Sequence, residues 1–122
     1  MLMFEPPLDS MYRLRKLSLK TGARTLIVEV GQIDWIEAAG NYVVVHMGNV
    51  RHTVRSTLQK MQSRLAASPM MRIHKSTLVN FDRVVSVESP KPGEHILVLK
   101  DGTRLPLSRS YRERIHALLS AD

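Results

Sequence analysis

The chain has 122 residues, enough for one domain with one core and too few for a second full domain. A hydrophobic share of 43% excludes a disordered polymer, no apolar run approaches the length of a membrane span, and the absence of cysteine excludes disulfides and cysteine metal sites. Lys and Arg number 18 against 11 Asp and Glu, and the resulting pI of about 10.3 argues for a polyanionic partner: nucleic acid, or less often an anionic membrane surface.

Residues 1–11, broken by Pro6-Pro7, are expected to form a short, poorly ordered lead-in to one domain over residues 12–122. Met1–Ser10 has no basic stretch followed by an apolar core, so no secretory signal is expected, and a cytoplasmic location is. Strand signals begin near Tyr12 and run through Leu14, Leu17 and Leu19 to a turn at Thr21-Gly22. Thr25–Val30 is rich in β-formers, Gly31-Gln32 turns, and Ile33–Glu37 reads as a strand with a polar interruption. Ala39-Gly40-Asn41 is a loop, Tyr42–Met47 is the strongest strand, and Gly48-Asn49 closes it. In the next strand Val50, His52 and Val54 alternate with Arg51, Thr53 and Arg55, so one face is expected inside and the other is basic.

A helix is expected after Ser56, with Ser56 as N-cap and Gln59 completing a capping box; Leu58, Met61 and Leu65 make its apolar stripe. Ser68-Pro69 ends it. The pattern of Arg72–Ser76 does not decide its own structure. Leu78–Asn80 and Val84–Val87 read as short strands, Pro90–Glu94 as a loop, and Ile96–Leu99 and Arg104–Leu107 as a hairpin around Asp101-Gly102. Ser110 and Glu113 suggest a second capping box, opening a terminal helix with Tyr111, Ile115, Leu118 and Leu119 on its apolar side. Eight to ten short strands joined by tight turns favour a mainly β fold of antiparallel sheets, with one central and one C-terminal helix.

Charge is segregated along this plan. Between Ala38 and Phe81 lie Arg51, Arg55, Lys60, Arg64, Arg72 and Lys75, with no acid among them. A second basic cluster holds Arg104, Arg109, Arg112 and Arg114, interrupted by Glu113 alone. Mixed signs are the norm on a solvated surface, so this separation suggests one face shaped to meet phosphate.

Three segments resemble the LytTR family of DNA-binding domains: Ile33–Val43 (IDWIEAAGNYV), Arg72–Asn80 (RIHKSTLVN) and Asp101–Tyr111 (DGTRLPLSRSY), with Arg55–Leu58 leading into the helix between the first two. The resemblance runs from about residue 13 to 119. It implies an elongated fold of about ten strands in stacked antiparallel sheets. It also implies duplex DNA read by loops that enter successive major grooves, with a minor-groove contact between them and a bend in the DNA. The resemblance implies an N-terminal phosphate-accepting receiver or other sensor domain in many members, so the chain reads either as a free-standing regulator or as the DNA-binding half of one with an upstream sensor or receiver partner. Two copies on paired repeats are the expected arrangement on an operator.

The candidate contacts follow. Arg109 offers a fork that can pair with guanine or clamp phosphate, and the resemblance makes it the base-reading arginine of a major groove. Lys75 fills the variable position of a His-x-Ser pattern, where the resemblance places a side chain at the central groove. His74 and Ser76 beside it supply further hydrogen-bonding groups, though His74 equally suits a structural role. Asn41 can present a paired donor and acceptor to adenine, or merely make its turn; Tyr42 can reach phosphate or pack its ring. Arg55, Arg72 and Arg112 are candidate backbone contacts, with Ser108 in support. Trp35 is expected in the core, and Asn80 is expected to organise the loop after its strand.

Neither a metal nor a cofactor is expected. An RNA- or single-strand-binding module is the competing reading, but such modules cluster exposed aromatics, and only 5% of this chain is aromatic. A nuclease using His52, His74 and Lys75 would need carboxylates that the acid-free stretch lacks, so no enzymatic activity is expected.

Overall fold

A computed structural model describes residues 14–119. The expected lead-in and the approach from Tyr12 lie outside the described residues. Ten strands form: β1 (Lys16–Thr21), β2 (Arg24–Glu29), β3 (Trp35–Ala39), β4 (Tyr42–Met47), β5 (Val50–Arg55), β6 (Met70–His74), β7 (Thr77–Asn80), β8 (Val84–Glu88), β9 (Ile96–Leu99) and β10 (Arg104–Pro106). Helix α1 (Leu58–Arg64) follows β5, and α2 (Arg109–Leu119) is the last described element. The strands pair antiparallel throughout, as β1-β2, as a five-stranded sheet β5-β4-β3-β7-β6, and as β10-β9-β8. The mainly β architecture read from the turns is therefore the observed one.

The five-stranded sheet lies between two cores, and strand alternation explains how. Successive side chains point to opposite faces. In β7, Leu78 joins one cluster with Ile36, Val43, Val45, Val54, Leu58 and Met61, while its neighbour Val79 joins the other with Ile73, Leu97, Leu105 and Ile115. That is why all four residues of β7 are buried where most other strands alternate. The first cluster is roofed by β1 and α1, through Leu17, Leu19, Met61 and Leu65. Burying each such aliphatic side chain is worth about 1.5–3 kcal/mol against an exposed reference.

Several sequence expectations are corrected. Ile33 does not open β3; its amide donates to the Val30 carbonyl at 3.0 Å and closes a short 3-10 turn at Val30–Gln32. Thr57, not Ser56, caps α1: its hydroxyl accepts the Lys60 amide at 3.1 Å, and no Ser56–Gln59 box forms. Extended backbone at Thr57 places its side chain over the helix end, whereas the Ser56 hydroxyl donates to the Thr57 carbonyl. Similarly, α2 begins at Arg109, and the Ser108 hydroxyl accepts the Ser110 amide at 3.3 Å, so Ser110 lies in the first turn rather than at the cap. Val50, expected inside, is 52% exposed at the tip of its hairpin, while Val54 further along the strand is buried. Trp35 is half-buried against the second core and stacks on His46 at 3.9 Å with the rings 1° from parallel. The His46 Nε2–H donates to the Glu37 carboxylate at 2.5 Å.

Asn80 organises its surroundings as expected. Its Oδ1 accepts the Asp82 amide, and its Nδ2 donates to the Ile33 carbonyl at 2.9 Å, joining β7 to the end of the Val30–Gln32 turn that leads into β3. Around Asp101 the loop covers Lys100–Gly102. The Gly102 amide returns to Leu99, and the Asp101 carboxylate accepts the Thr103 amide at 2.9 Å, which holds that carboxyl below its ordinary value.

Candidate nucleic-acid interface

Strand directions gather the candidate residues at one end of the molecule. Both β3 and β6 pair antiparallel with β7, so they run the same way and finish at the same end of the sheet, with β7 between them. The turn after β3 is Gly40-Asn41, and the turn after β6 is Lys75-Ser76. The Ala38 amide donates to the Ser76 carbonyl at 2.9 Å, which joins the end of β3, just before its turn, to the turn after β6. After β10, the Ser108 amide donates to the Ile73 carbonyl at 2.8 Å, bringing the start of α2 against the same strand end. Three segments distant in sequence thus meet through backbone hydrogen bonds, which do not depend on side-chain identity.

Each turn has a local cause. Gly40 has a φ of +64°, so Ala39 and Tyr42 can be closed by two residues, as a tight hairpin needs. Asn41 then stands exposed at the tip. Tyr42, 43% exposed, lies opposite both Ala39 and Arg55, forming a row across β3, β4 and β5 at the rim of the turn. The ring is therefore not packed into the core, and Arg55 beside it is exposed.

Arg72 holds the second turn from within. Its Nε donates to the His74 carbonyl at 2.9 Å, Nη2 to the Lys75 carbonyl, and Nη1 to Gln62 Oε1 at 2.8 Å. Its guanidinium carbon also sits 6.0 Å from the centre of the Tyr111 ring, on α2. One fork thus links the turn, α1 and α2, so the guanidinium expected at a DNA phosphate is engaged within the domain. The Ser76 amide and hydroxyl both approach His74 Nδ1, at 3.2 and 2.9 Å. An acceptor at Nδ1 places the proton of the neutral ring on Nε2, leaving an N–H donor on the ring's other side. Lys75 projects from this braced turn, exposed and without an acidic partner among the described residues.

Arg109 is exposed at the first position of α2, and its side chain makes no hydrogen bond among the described residues. A cation at a helix N-terminus is disfavoured by the backbone dipole unless an anion joins it. Arg112 instead donates to His95 Nε2 at 2.6 Å. Within the second basic cluster, Arg104 pairs with Glu88. Arg64 donates to the Ser18 carbonyl at 2.7 Å and ties α1 to β1.

No helix among the described residues is long and apolar enough to cross a membrane. A cleft of about 570 Å³ lies at the other end of the strands, lined by Asp34, Gly48, His52, Arg83 and Asp101. The candidate interface is accordingly a projecting set of turns rather than a cavity. The residues that sequence reasoning left aside are those that brace it, Gln62 and His95, whose partners become visible only when distant segments meet.

The profile of the LytTr DNA-binding domain family matches residues 23–120. The chain is 29% identical over 104 residues to the sensory transduction protein LytT of Bacillus subtilis, covering 85% of this chain and 43% of that protein. It is 28% identical over 109 residues to the CO-responsive transcriptional regulator RcoM of Rhodospirillum rubrum, covering 88% and 46%. The chain spans less than half the length of these relatives. A solved LytTr DNA-binding domain from Bacillus cereus shares the fold with a TM-score of 0.75 at 24% identity, covering 87% of this chain and 97% of that one.

Proposed function

The chain belongs to the LytTr family of DNA-binding domains, and on that premise we propose that it binds specific duplex DNA sequences and regulates transcription as a binding module rather than an enzyme. Arg109 reads a base in one major groove, most naturally guanine O6 and N7. Asn41 and Tyr42 occupy the neighbouring major groove, and Lys75 the minor groove between them. Arg55 and Arg112 contact phosphate and set register. His74, through its Nε2–H, adds a donor to the same backbone, while Arg72, Ser76 and Ser108 hold the turns in shape. Two copies occupy paired repeats on an operator. The matched part of this chain covers 43% and 46% of relatives named as a sensory transduction protein and a CO-responsive regulator. A signal-receiving domain or partner upstream of this unit fits that partial coverage, with the domain itself occupying residues 12–122.

The observation that carries this reading is the pair of backbone links, Ala38 to Ser76 and Ser108 to Ile73, which set three cation-bearing or amide-bearing turns on one end. The competing reading, single-stranded or RNA binding, needs a stacking platform of several bases. Among the described residues Tyr42 is the exposed aromatic side chain, and one ring is not a platform. Competition decides between them: labelled duplex DNA bound at physiological salt should resist unlabelled single-stranded RNA and yield to the matching unlabelled duplex. Displacement by RNA at equal or lower concentration would favour the other reading.

A further inference from the structure

The loop between β8 and β9 stands outside both basic clusters and outside the three family-like segments, yet the fold brings it to the same end. Its centre is Lys91-Pro92-Gly93-Glu94. The Glu94 amide donates to the Lys91 carbonyl at 3.0 Å, with Pro92 at the second position and Gly93 at the third with a φ of +82°. That is a type II turn, in which proline presets the backbone and the positive φ demands glycine. Pro90 and Pro92 on either side limit the backbone freedom of Lys91.

Three independent links fasten this turn to the Arg109 segment. The Leu107 amide donates to the His95 carbonyl at 2.9 Å. Arg112 donates to His95 Nε2, so the neutral imidazole carries its proton on Nδ1 and donates it to the Ser89 hydroxyl at 2.9 Å. Most directly, a Cβ on Gly93 would stand 3.6 Å from Arg109 Nη2, so the guanidinium lies against the turn. Lys91 is exposed beside it and has no acidic partner among the described residues, Glu88 being paired with Arg104.

We propose that the Lys91–Glu94 turn is a fourth element of the DNA interface: Lys91 holds a backbone phosphate next to the base pair read by Arg109, and Gly93 is the surface on which Arg109 is positioned. The proposal rests on the reading of this end as the DNA-binding end. Lysine is a flexible point charge, so its contact adds affinity without sequence preference.

The test compares the wild type with Lys91→Ala, Lys91→Arg and Lys100→Ala, each titrated with a duplex selected from a random pool and with its scrambled version across a salt series. Lys100 is the control: it follows β9 where the turn precedes it, about 13 Å away along four residues. That exceeds the screening length of about 8 Å at physiological salt. Lys91→Ala is expected to weaken both duplexes by a similar factor, about threefold to tenfold, and to make the salt slope shallower by about one. Lys91→Arg should restore both, and Lys100→Ala should change neither. If Lys91→Ala matches Lys100→Ala in affinity and slope, the fourth contact is overturned while the three-turn reading stands. If the wild type binds selected and scrambled duplexes equally, the sequence-reading proposal falls, and the slope comparison still decides the role of Lys91.

Discussion

The Ser108 amide donates to the Ile73 carbonyl at 2.8 Å, tying the residue that precedes Arg109 to the strand that ends in the His74–Ser76 turn. With the Ala38–Ser76 bond three residues further on, this fixes all three proposed reading turns to β6 and its turn. Their relative positions are then a property of the backbone, and substitutions at the exposed tips should change binding without moving the frame.

Arg72 is the exception, because its side chain is part of the frame. Arg72→Ala removes donors from two turn carbonyls and from Gln62. The expected cost is about 1–3 kcal/mol in urea denaturation, with weaker binding to every duplex. Arg72→Lys should recover little of either, since an ammonium cannot reproduce the planar fork. Full recovery by lysine would mean that charge, not geometry, is what the turn needs.

Arg109→Ala should leave the denaturation midpoint near the wild-type value, since the Arg109 side chain makes no hydrogen bond among the described residues. In a panel of single base-pair substitutions it should flatten discrimination at one position, at a cost of about 1–3 kcal/mol. A uniform loss across the panel would reassign Arg109 to phosphate.

Thr57→Ala is expected to destabilise the domain by about 1 kcal/mol through loss of the α1 cap, and Ser56→Ala by much less. Denaturant titration of the two variants distinguishes them; the reverse order would restore Ser56 as the cap.

The Asp101 carboxyl is held below its ordinary value by the Thr103 amide. A depressed carboxyl stabilises the fold above its unfolded value near pH 4, and the contribution is lost as pH falls through the lower folded value. The group is exposed, so the effect is small and screened. Comparing denaturation at pH 7 and pH 3, Asp101→Asn should lose less stability than the wild type; an equal loss would show that this carboxyl does not contribute.

Strand positions and turns were legible because period-two alternation and Gly-containing turns act over a few residues: β3 to β5 lie within two residues of where the pattern puts them. Caps were less so. Ser56 and Thr57 are both good capping residues, as are Ser108 and Ser110, and only the backbone angle at the helix entry selects one. The two-sided core was hidden because adjacent Leu78 and Val79 read alike while serving opposite faces. The brace on the second turn was hidden too: the partners of Arg72 are carbonyls and Gln62, which carry no charge signal in sequence. Lys91 sits between Glu88 and Glu94, so a reading by charge runs passes over it.

The central claim is that this end of the molecule reads duplex sequence, and the affinity ratio between a selected duplex and its scrambled version at physiological salt tests it most directly. Specific protein–DNA pairs differ from non-specific ones by about 10³-fold or more, and a ratio of that order is the predicted result. A ratio near one, with both affinities falling equally as salt rises, would contradict it and leave only a basic surface that binds phosphate.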